Sequence, residues 1–427
     1  MRIEVPWGTG TAPVEVERRR VAGVRGAGTN RAENPDAVLH EAIERPGESV
    51  RQFLAAAPSP LLVVVNDATR PTPSADVLRV LRDGLEEWLA APGNRLAFAV
   101  ATGTHRPATP GERDRIFGPE VAREHASRIF SHDAREDARL VGVGRTSRGT
   151  DVVVNRLLAD AASVLLVNSV EPHYFAGYTG GRKSLVPGLA GYGTVWANHR
   201  LSMEPGSETL TLAGNPVNAD LEEAAAIALA GKRIYSIQLV LDQHNRVAFA
   251  AAGALDETFR RAVAVADTQF VIDVEQPYDV VVAAAPHPMD CNFYQTNKAI
   301  QSGARAAKNG GVLIVVSECP FGLGENQILF DMLSAAASPA EALERANVEA
   351  YRLGAQQAAR VSSILARVDI WAVTSLEDAA VRAMFMTPFA TVQAAVDAAL
   401  ARQGPEAQVL FLPEASITVP RVRHGGP

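Results

Sequence analysis

Three histidines of this 427-residue chain lie where they could transfer protons. His105 and His173 each follow an apolar, strand-like segment within a few residues, and His199 lies in the predicted helical sequence TVWANHRLS. Imidazole has an ordinary pKa near 6.5, so it can act as a general acid or base at neutral pH. Two such groups from different strands suit a racemase, which needs one on each face of a carbon or its hydroxyl. The spacing disfavours a zincin-type metal site, while one His combined with a cofactor ligand stays open.

Cationic and polar side chains follow similar segments and could hold a carboxylate. NDATRPTP carries Asp67 and Arg70, and PHPMDCNFYQTNK carries Tyr294, Gln295 and Lys298. Arginine offers a two-pronged hydrogen-bond donor to a carboxylate. The sequence therefore predicts an anion-holding group, with the alternative that Arg70 is a turn residue paired with Asp67.

The segment GYTGGRKSLVPGLAG is a candidate anion or cofactor site. It resembles a phosphate-binding P-loop, but that motif requires Gly directly before the Lys, where Arg182 stands. Successive glycines, Gly180 and Gly181, would let backbone N–H groups approach an anion, Arg182 would add positive charge, and the following segment would open a helix whose N-terminus also favours anions. A tight strand-to-helix turn is equally open. Lys183 could instead be a nucleophile that links a cofactor, because a Gly-rich pocket beside Arg182 would lower its pKa.

The elements that must position these groups follow from the hydropathy pattern. Apolar runs alternate with amphipathic ones, which predicts two α/β domains with mainly parallel sheets. The predicted strands, short and apolar on both faces, are 61–66, 95–101, 163–169, 236–241, 279–285, 311–316 and 368–374. The predicted helices are 74–91, 215–230, 254–267, 326–336, 339–358 and 388–402. Since ligands in α/β folds lie beyond the carboxyl ends of strands, we expect an active site in a cleft between the domains.

A polar, Pro-containing link predicts the domain boundary and a hinge near 270–278. Residues 1–272 are the expected N-terminal domain, which binds the cofactor and carries the catalytic groups. Residues 273–427 form the expected smaller C-terminal α/β domain, which contributes substrate-binding residues. The C-terminal PRVRHGGP is expected to be frayed.

Composition excludes several classes of protein. The chain has 41 basic and 48 acidic residues and a net charge of −7, which does not suit binding to a nucleic-acid backbone. Its two cysteines, Cys291 and Cys319, cannot form a disulfide framework and are expected to be reduced. The N-terminal MRIEVPWGTG lacks the apolar region of a signal peptide, and no apolar run approaches the roughly 18 residues of a membrane span. These features predict a cytoplasmic protein.

Five segments, in order, resemble the nickel-pincer lactate racemases and the related 2-hydroxy-acid racemases and epimerases. They are NDATRPTP, ATGTHRPAT, EPHYFAGYTGGRKSLVPGLAG, WANHR and YQTNKAI, and they extend over nearly the whole chain. Each segment alone is a weak signal, but the ordered set is specific. The resemblance implies an isomerase, a racemase or epimerase of a small-molecule 2-hydroxy acid.

The resemblance also implies a cofactor that composition does not reveal. It is a nickel-pincer nucleotide, pyridinium-3-thioamide-5-thiocarboxylic acid mononucleotide, which holds Ni between two sulfur atoms and a carbon. Lys183 matches the lysine that carries it covalently, and His199 matches the remaining nickel ligand. His105 and His173 match the two catalytic bases.

The remaining matches concern the cofactor motif and the substrate. Residues implied in cofactor binding beside Lys183 are Gly180, Gly181, Arg182 and Ser184. Residues implied in substrate binding are Arg70, Tyr294, Gln295 and Lys298, with Asp67 orienting that cluster. The implied partners are the substrate and, in loading, cofactor-biosynthesis proteins; oligomeric state and the particular acid are not set by the sequence.

The mechanism implied by the resemblance is reversible hydride transfer. One histidine removes the hydroxyl proton, the Cα hydride passes to the cofactor, and a planar 2-keto acid forms. The hydride returns to the other face, and the second histidine returns the proton. The alternatives are a non-catalytic nickel-nucleotide or hydroxy-acid binding protein and a differently acting phosphate- or nucleotide-dependent enzyme.

Overall fold

Helices and strands alternate along most of the chain, as the hydropathy pattern predicts. We analysed a computed structural model that describes residues 1–28, 32–45, 49–324, 327–348 and 351–423. It divides into two units, residues 29–269, here called the central unit, and residues 1–28 together with 270–427, here called the terminal unit. Among the described residues, no helix is long and apolar enough to cross a lipid bilayer.

The strands in chain order are β1 (Arg2–Trp7), β2 (Gly10–Glu15), β3 (Val21–Val24), β4 (Leu61–Asn66), β5 (Leu96–Ala101), β6 (Ile129–Ser131), β7 (Leu140–Arg145), β8 (Asp151–Asn155), β9 (Ser163–Ser169), β10 (Pro172–His173), β11 (Gly177–Tyr178), β12 (Arg233–Leu241), β13 (Val247–Gly253), β14 (Val271–Val274), β15 (Tyr278–Ala284), β16 (Ala307–Val316), β17 (Asp369–Val373), β18 (Thr387–Phe389), β19 (Val409–Leu412) and β20 (Val419–Val422). The helices are α1 (Pro35–Ile43), α2 (Val50–Ala55), α3 (Ser74–Ala90), α4 (Pro110–Phe117), α5 (Pro119–Glu124), α6 (Arg156–Asp160), α7 (Tyr192–Arg200), α8 (Pro216–Leu229), α9 (Leu255–Phe270), α10 (Phe293–Arg305), α11 (Ile328–Ser334), α12 (Pro339–Val348), α13 (Ala355–Leu365), α14 (Asp378–Ala383) and α15 (Val392–Gln403).

The central unit is built on a six-stranded sheet in the order β13-β12-β9-β4-β5-β6. All neighbours are parallel except β13, which runs antiparallel to β12. Strands β4 and β9 are rich in Val and Leu and almost wholly buried, because helices cover a parallel sheet on both faces.

Strand order brings the predicted reactive groups to one edge of this sheet. β4 lies between β9 and β5, and Asn66 at its end is in register with Ala101 at the end of β5. Since these three strands are parallel, the segments that follow them leave from the same edge. Those segments carry Asp67, His105 and His173.

The terminal unit contains a second six-stranded sheet, in the order β18-β17-β16-β15-β19-β3, with all neighbours parallel. Its edge strand β3 comes from the N-terminus of the chain, and Val21 is in register with Val409. Residues 1–28 therefore belong to the terminal unit. The sequence had predicted them to lie in one domain with residues up to 272. The division at 269/270 lies beside the predicted boundary.

The α/β prediction is confirmed, and the predicted strands all appear; β4 and β9 have the predicted bounds. The predicted single helix 339–358 is wrong. α12 ends at Val348, and α13 begins only after Gly354, whose φ of 110° is incompatible with a continuous helix. Residues 349–350 lie outside the described residues.

Two further predictions near the C-terminus also need correction. The helix predicted from 388 begins at Val392, because residues 387–389 form strand β18, which pairs in parallel with β17, and Thr391 then caps the helix. The tail is not frayed at its start, since β20 pairs with β14 and the Arg423 N–H bonds the Val274 carbonyl. Residues 424–427 lie outside the described residues.

Candidate active site

Asp67 and His105 form a hydrogen-bonded pair at the carboxyl edge of the central sheet. His105 Nδ1 lies 2.7 Å from Asp67 Oδ2, and Thr69 donates to the other carboxylate oxygen at 2.8 Å. The Asp67 side chain is 9% exposed and that of His105 is 53% exposed. Because an ionised carboxylate only accepts hydrogen bonds, Nδ1 carries the proton, and Nε2 of the neutral ring has the free lone pair. His105 is thus held with a basic nitrogen available.

Arg70 is paired with Glu171 rather than with Asp67. Its guanidinium donates to Glu171 Oε1 at 3.0 Å, with about a quarter of each side chain exposed. The backbone N–H of Arg70 does bond the Asp67 carbonyl at 3.1 Å, so the predicted turn is present. The pair connects the segment after β4 to the segment after β9, which are neighbouring strands.

A chain of polar side chains fixes the Lys183 loop to the same sheet edge. Ser184 Oγ donates to Asn66 Oδ1 at 2.8 Å, and Asn66 Nδ2 donates to Thr72 at 2.8 Å. Thr72 in turn lies 2.7 Å from the Ser169 hydroxyl at the end of β9. The Ser184 hydroxyl is therefore engaged in holding the loop in place.

The glycines of this loop are needed for close packing inside the protein. Gly180 and Gly181 have φ of 77° and 54°, where a side chain is strained. A Cβ on Gly180 would lie 2.6 Å from Val170, and one on Gly181 would lie 2.8 Å from Phe259. The Gly181 N–H donates to the Gln238 side chain at 3.0 Å. The P-loop interpretation required this N–H to be directed at an anion, but it is bonded to a side chain of the protein instead.

The helix expected to follow this loop directly is absent. Gly181–Ser184 form only a short 3-10 helix, and the next α-helix, α7, begins at Tyr192. The alternative of a tight turn describes the loop better than an anion-binding helix N-terminus does.

Lys183 has an amine whose pKa lies well below that of an ordinary lysine. Burial, followed by the positive charge of Arg70, lowers the pKa of Lys183 to about 7, and Glu171 opposes the shift. The sequence correctly predicted a lowered pKa but attributed it to Arg182. The Arg182 guanidinium instead pairs with Glu222 and Asp256.

His199 lies in the last turn of α7 and is uncharged. Burial, followed by Lys183 and His105 in their protonated forms, lowers the pKa of His199 to about 3. Its Nδ1 atom is buried and has no hydrogen-bond partner among the described residues. A neutral imidazole with an unpartnered nitrogen is a suitable ligand for a transition metal.

A buried network holds α7 in place beneath His199. Asn198 is fully buried, and its Nδ2 donates to Asp220 at 2.9 Å and to the Val217 carbonyl at 3.1 Å. Asp220 also accepts from Thr146 and Thr150 at 2.6 and 3.1 Å. The polar network fixes the helix turn that presents the neighbouring imidazole.

His173 has the opposite proton arrangement to His105. The Ala176 N–H donates to His173 Nδ1 at 3.2 Å, so that nitrogen is unprotonated and Nε2 of the neutral ring carries the proton. The ring stacks on Tyr174 at 5.0 Å and meets the edge of Phe175 at 4.6 Å. The two predicted bases therefore differ in which nitrogen carries the proton.

The three other predicted substrate residues lie in the terminal unit, on the first turns of α10. Tyr294, Gln295 and Lys298 follow β15 and its loop at the carboxyl edge of the second sheet. Asn292 caps this helix by accepting from the Gln295 N–H at 3.0 Å. Their position at a strand's carboxyl end is the one predicted.

The central unit thus brings together most of the predicted groups. The charges of Arg70 and Glu171 act on Lys183, and those of Lys183 and His105 act on His199, so these groups lie within electrostatic range. Sequence reasoning missed Glu171, although it follows β9 directly within a motif that already attracted attention.

Two separate parts of the chain match known protein families. Residues 7–210 match the family described as the lactate racemase N-terminal domain, and residues 273–419 match the lactate racemase C-terminal domain. The chain belongs to the lactate racemase family. This confirms the predicted family and the predicted enzyme class, an isomerase.

Individual relatives cover much or nearly all of the chain. The lactate racemase of Lactiplantibacillus plantarum is 28% identical over 429 residues, covering 96% of this chain and 98% of that protein. The lactate racemase of Thermoanaerobacterium thermosaccharolyticum is 28% identical over 333 residues, covering 75% of each.

Solved structures share the fold. The lactate racemase apoprotein from T. thermosaccharolyticum aligns with a TM-score of 0.89 at 24% identity, covering 99% of this chain and all of that one. A Thermotoga maritima protein aligns with a TM-score of 0.66 at 17% identity, covering 92% of this chain and 98% of that chain.

Proposed function

We propose that this lactate racemase family member interconverts the enantiomers of a small 2-hydroxy acid. The observation that carries the proposal is the grouping, within electrostatic range, of a buried lysine with a lowered pKa, a neutral histidine whose buried Nδ1 has no hydrogen-bond partner among the described residues, and a carboxylate-bound histidine. The first two suit the attachment and ligation of a metal-containing cofactor, and the third suits proton transfer from a hydroxyl.

The residues fit the nickel-pincer nucleotide that the sequence resemblance implies. We propose that Lys183 carries it covalently, since only an uncharged amine is a nucleophile, and that His199 donates a ligand to nickel. When bound, this group supplies the hydride acceptor and donor that inversion at Cα requires. Gly180, Gly181 and Ser184 support it by holding the Lys183 backbone, and we assign Arg182 to the same structural support.

Proton transfer falls to the two other histidines. His105 accepts the hydroxyl proton at Nε2, while Asp67 stabilises the imidazolium that results. His173 in its protonated form returns a proton to the same oxygen, and the two exchange roles in the reverse direction. The acidity of the Cα–H bond is not used, so solvent protons reach only the hydroxyl.

Binding of the acid falls to the cations. Arg70 can donate two hydrogen bonds to the carboxylate, and Glu171 keeps its guanidinium oriented. We propose that Lys298, Gln295 and Tyr294 of α10 contribute to holding the carboxylate and hydroxyl. Firm binding would prevent escape of the planar keto acid before it is reduced again.

The decisive experiment is intact-mass spectrometry with nickel analysis on protein from a host that makes the cofactor. We expect a nucleotide-sized adduct on Lys183 and about one nickel per chain, as single-site ligation by His199 requires. Lys183→Ala should lose the adduct. Unmodified, nickel-free protein from a competent host would contradict the proposal.

Turnover is tested with the loaded enzyme and both enantiomers of a panel of 2-hydroxy acids. His105→Ala and His173→Ala should each abolish racemisation with loading intact, and His40→Ala, an exposed residue of α1, serves as the control. Deuterium at Cα should be retained in the product. Its exchange into water would instead indicate proton abstraction from carbon.

A further inference from the structure

Phe175 contacts three of the groups to which the proposed function assigns a role. Its ring centroid lies 4.6 Å from that of His173 and 5.0 Å from that of His199, with interplanar angles of 90° and 73°. The Lys183 amine lies 5.5 Å from the same centroid. One apolar side chain thus joins a proposed base, the proposed metal ligand and the proposed attachment point.

The Phe175 ring is itself rigidly supported. It is 2% exposed and packs with Ala176, Leu201 and Val217 in a small apolar cluster. Its backbone carbonyl accepts from Asn215 Nδ2 at 2.8 Å, and the side-chain Oδ1 of Asn215 caps α8 by accepting from the Val217 and Asn218 N–H groups. The backbone at Phe175 is therefore fixed to the start of that helix, and its ring packs on Val217 of the first turn.

The contact geometries are those that aromatic rings favour. An edge-to-face arrangement aligns the positive ring edge with a negative ring face, and an amine near a ring is attracted to the face when charged. An aliphatic side chain of similar volume would fill the space but would lack these directional preferences. Loss of the ring should therefore loosen three side chains at once while leaving the core filled.

We propose that Phe175 is a positioning residue that holds His173, Lys183 and His199 in one mutual arrangement. The role rests on the proposed function, because it matters only if those three groups act together. It predicts that replacing the ring affects cofactor loading and turnover more than stability.

The first test uses the apoprotein and needs no cofactor. The chain has lysines only at 183, 232, 298 and 308, so protein labelled with ¹³C at lysine Cε should give four resolvable NMR signals. The Lys183 signal should carry a ring-current shift that disappears in Phe175→Leu and persists in Phe117→Leu. Phe117 is a suitable control because it is 1% exposed and edge-on to Phe98, in the same unit. An unchanged Lys183 signal in Phe175→Leu would overturn the proposed contact.

The second test compares loading and kinetics in the competent host. Phe175→Leu should lower adduct occupancy or kcat about tenfold, the size expected when an aromatic contact is lost, with KM for the acid changed less. Phe175→Tyr, which keeps the ring, should restore most of the loss, and Phe117→Leu should load as wild type does. Circular dichroism of each apoprotein establishes that it is folded.

The outcomes separate the two ideas. A folded Phe175→Leu variant that loads and turns over as wild type does would refute the positioning role and leave the proposed function standing. Wild-type protein that never loads would refute the proposed function, and the apoprotein signal of Lys183 would still decide whether Phe175 orders this site.

Discussion

The lowered pKa of Lys183 makes a quantitative prediction about its reactivity. With a pKa of about 7 in place of the ordinary 10.5, about half of the Lys183 amines are uncharged at pH 7. An ordinary lysine would be uncharged in about one molecule in 3,000, so Lys183 should present about 10³-fold more free amine. Partial burial slows reagent access, but it does not move the pH at which half of the amine reacts.

Substitutions at neighbouring charges should move this midpoint in opposite directions. Arg70→Gln removes a positive neighbour and should raise the midpoint, whereas Glu171→Gln removes a negative neighbour and should lower it. Arg182→Gln should leave the midpoint unchanged, because that guanidinium pairs with Glu222 and Asp256.

The assay is competitive labelling of the apoprotein with a small acylating reagent from pH 5 to 11, with peptide-level mass spectrometry. The other lysines, at 232, 298 and 308, act as internal references in the same sample. A Lys183 midpoint near 10 would refute the reasoning from burial and Arg70. A shift of the Lys183 midpoint in Arg182→Gln comparable to that in Arg70→Gln would instead support Arg182 as the cause of the lowered pKa, as the sequence predicts.

Three further predictions follow from the buried contacts. Asp67→Asn should lower kcat at least about 100-fold with cofactor loading intact, since the amide stabilises the His105 imidazolium poorly. Chiral chromatography measures the rate, and a variant with the kcat of the wild type would show that Asp67 does not support His105 in catalysis. Asn198→Ala should lower the free energy of unfolding by about 1–3 kcal/mol, because Asp220 then lacks one hydrogen-bond donor, and it should weaken Ni²⁺ retention. Urea unfolding measures the loss of stability, and an unchanged unfolding midpoint would refute the prediction. Burial lowers the pKa of His132 in the folded protein. Below about pH 6.5 the unfolded chain therefore binds more protons than the folded protein, and stability should fall as the pH drops from 6.5 towards the lower folded pKa. His132→Gln should flatten that decline, seen as unfolding midpoints at pH 7 and 5.5; equal declines in both proteins would contradict it.

The sequence predicts the central sheet well because its signals are local. Strands such as β4 and β9 are short β-branched runs whose ends are marked by polar residues, and both were predicted to the residue. The gathering of reactive groups at strand ends also follows from local pattern plus one rule of α/β folds. Together these two signals predicted where Asp67, His105 and Lys183 are attached to the fold.

The hydrogen-bond partners of Asp67 and Arg70 could not be predicted from the sequence, because they depend on the order of the strands in the sheet. Asp67 and Arg70 are three residues apart and looked like natural partners, yet Asp67 binds His105 and Arg70 binds Glu171. The actual partners follow β5 and β9, the two strands that lie on either side of β4 in the sheet. Strand β3 was missed for a related reason, since its partner lies almost 400 residues away and four apolar residues give a weak signal.

The N-terminal origin of β3 has a consequence for how the protein is made. Strand β3 is synthesised almost 400 residues before its partner β19, with which it must pair. Until then its unpaired edge is exposed, because the strand has no other partner in its sheet. The terminal sheet therefore completes only after β19 has been synthesised, while the central unit can fold earlier during synthesis. A fragment beginning at residue 270 would lack this edge strand and should aggregate more readily than the whole chain.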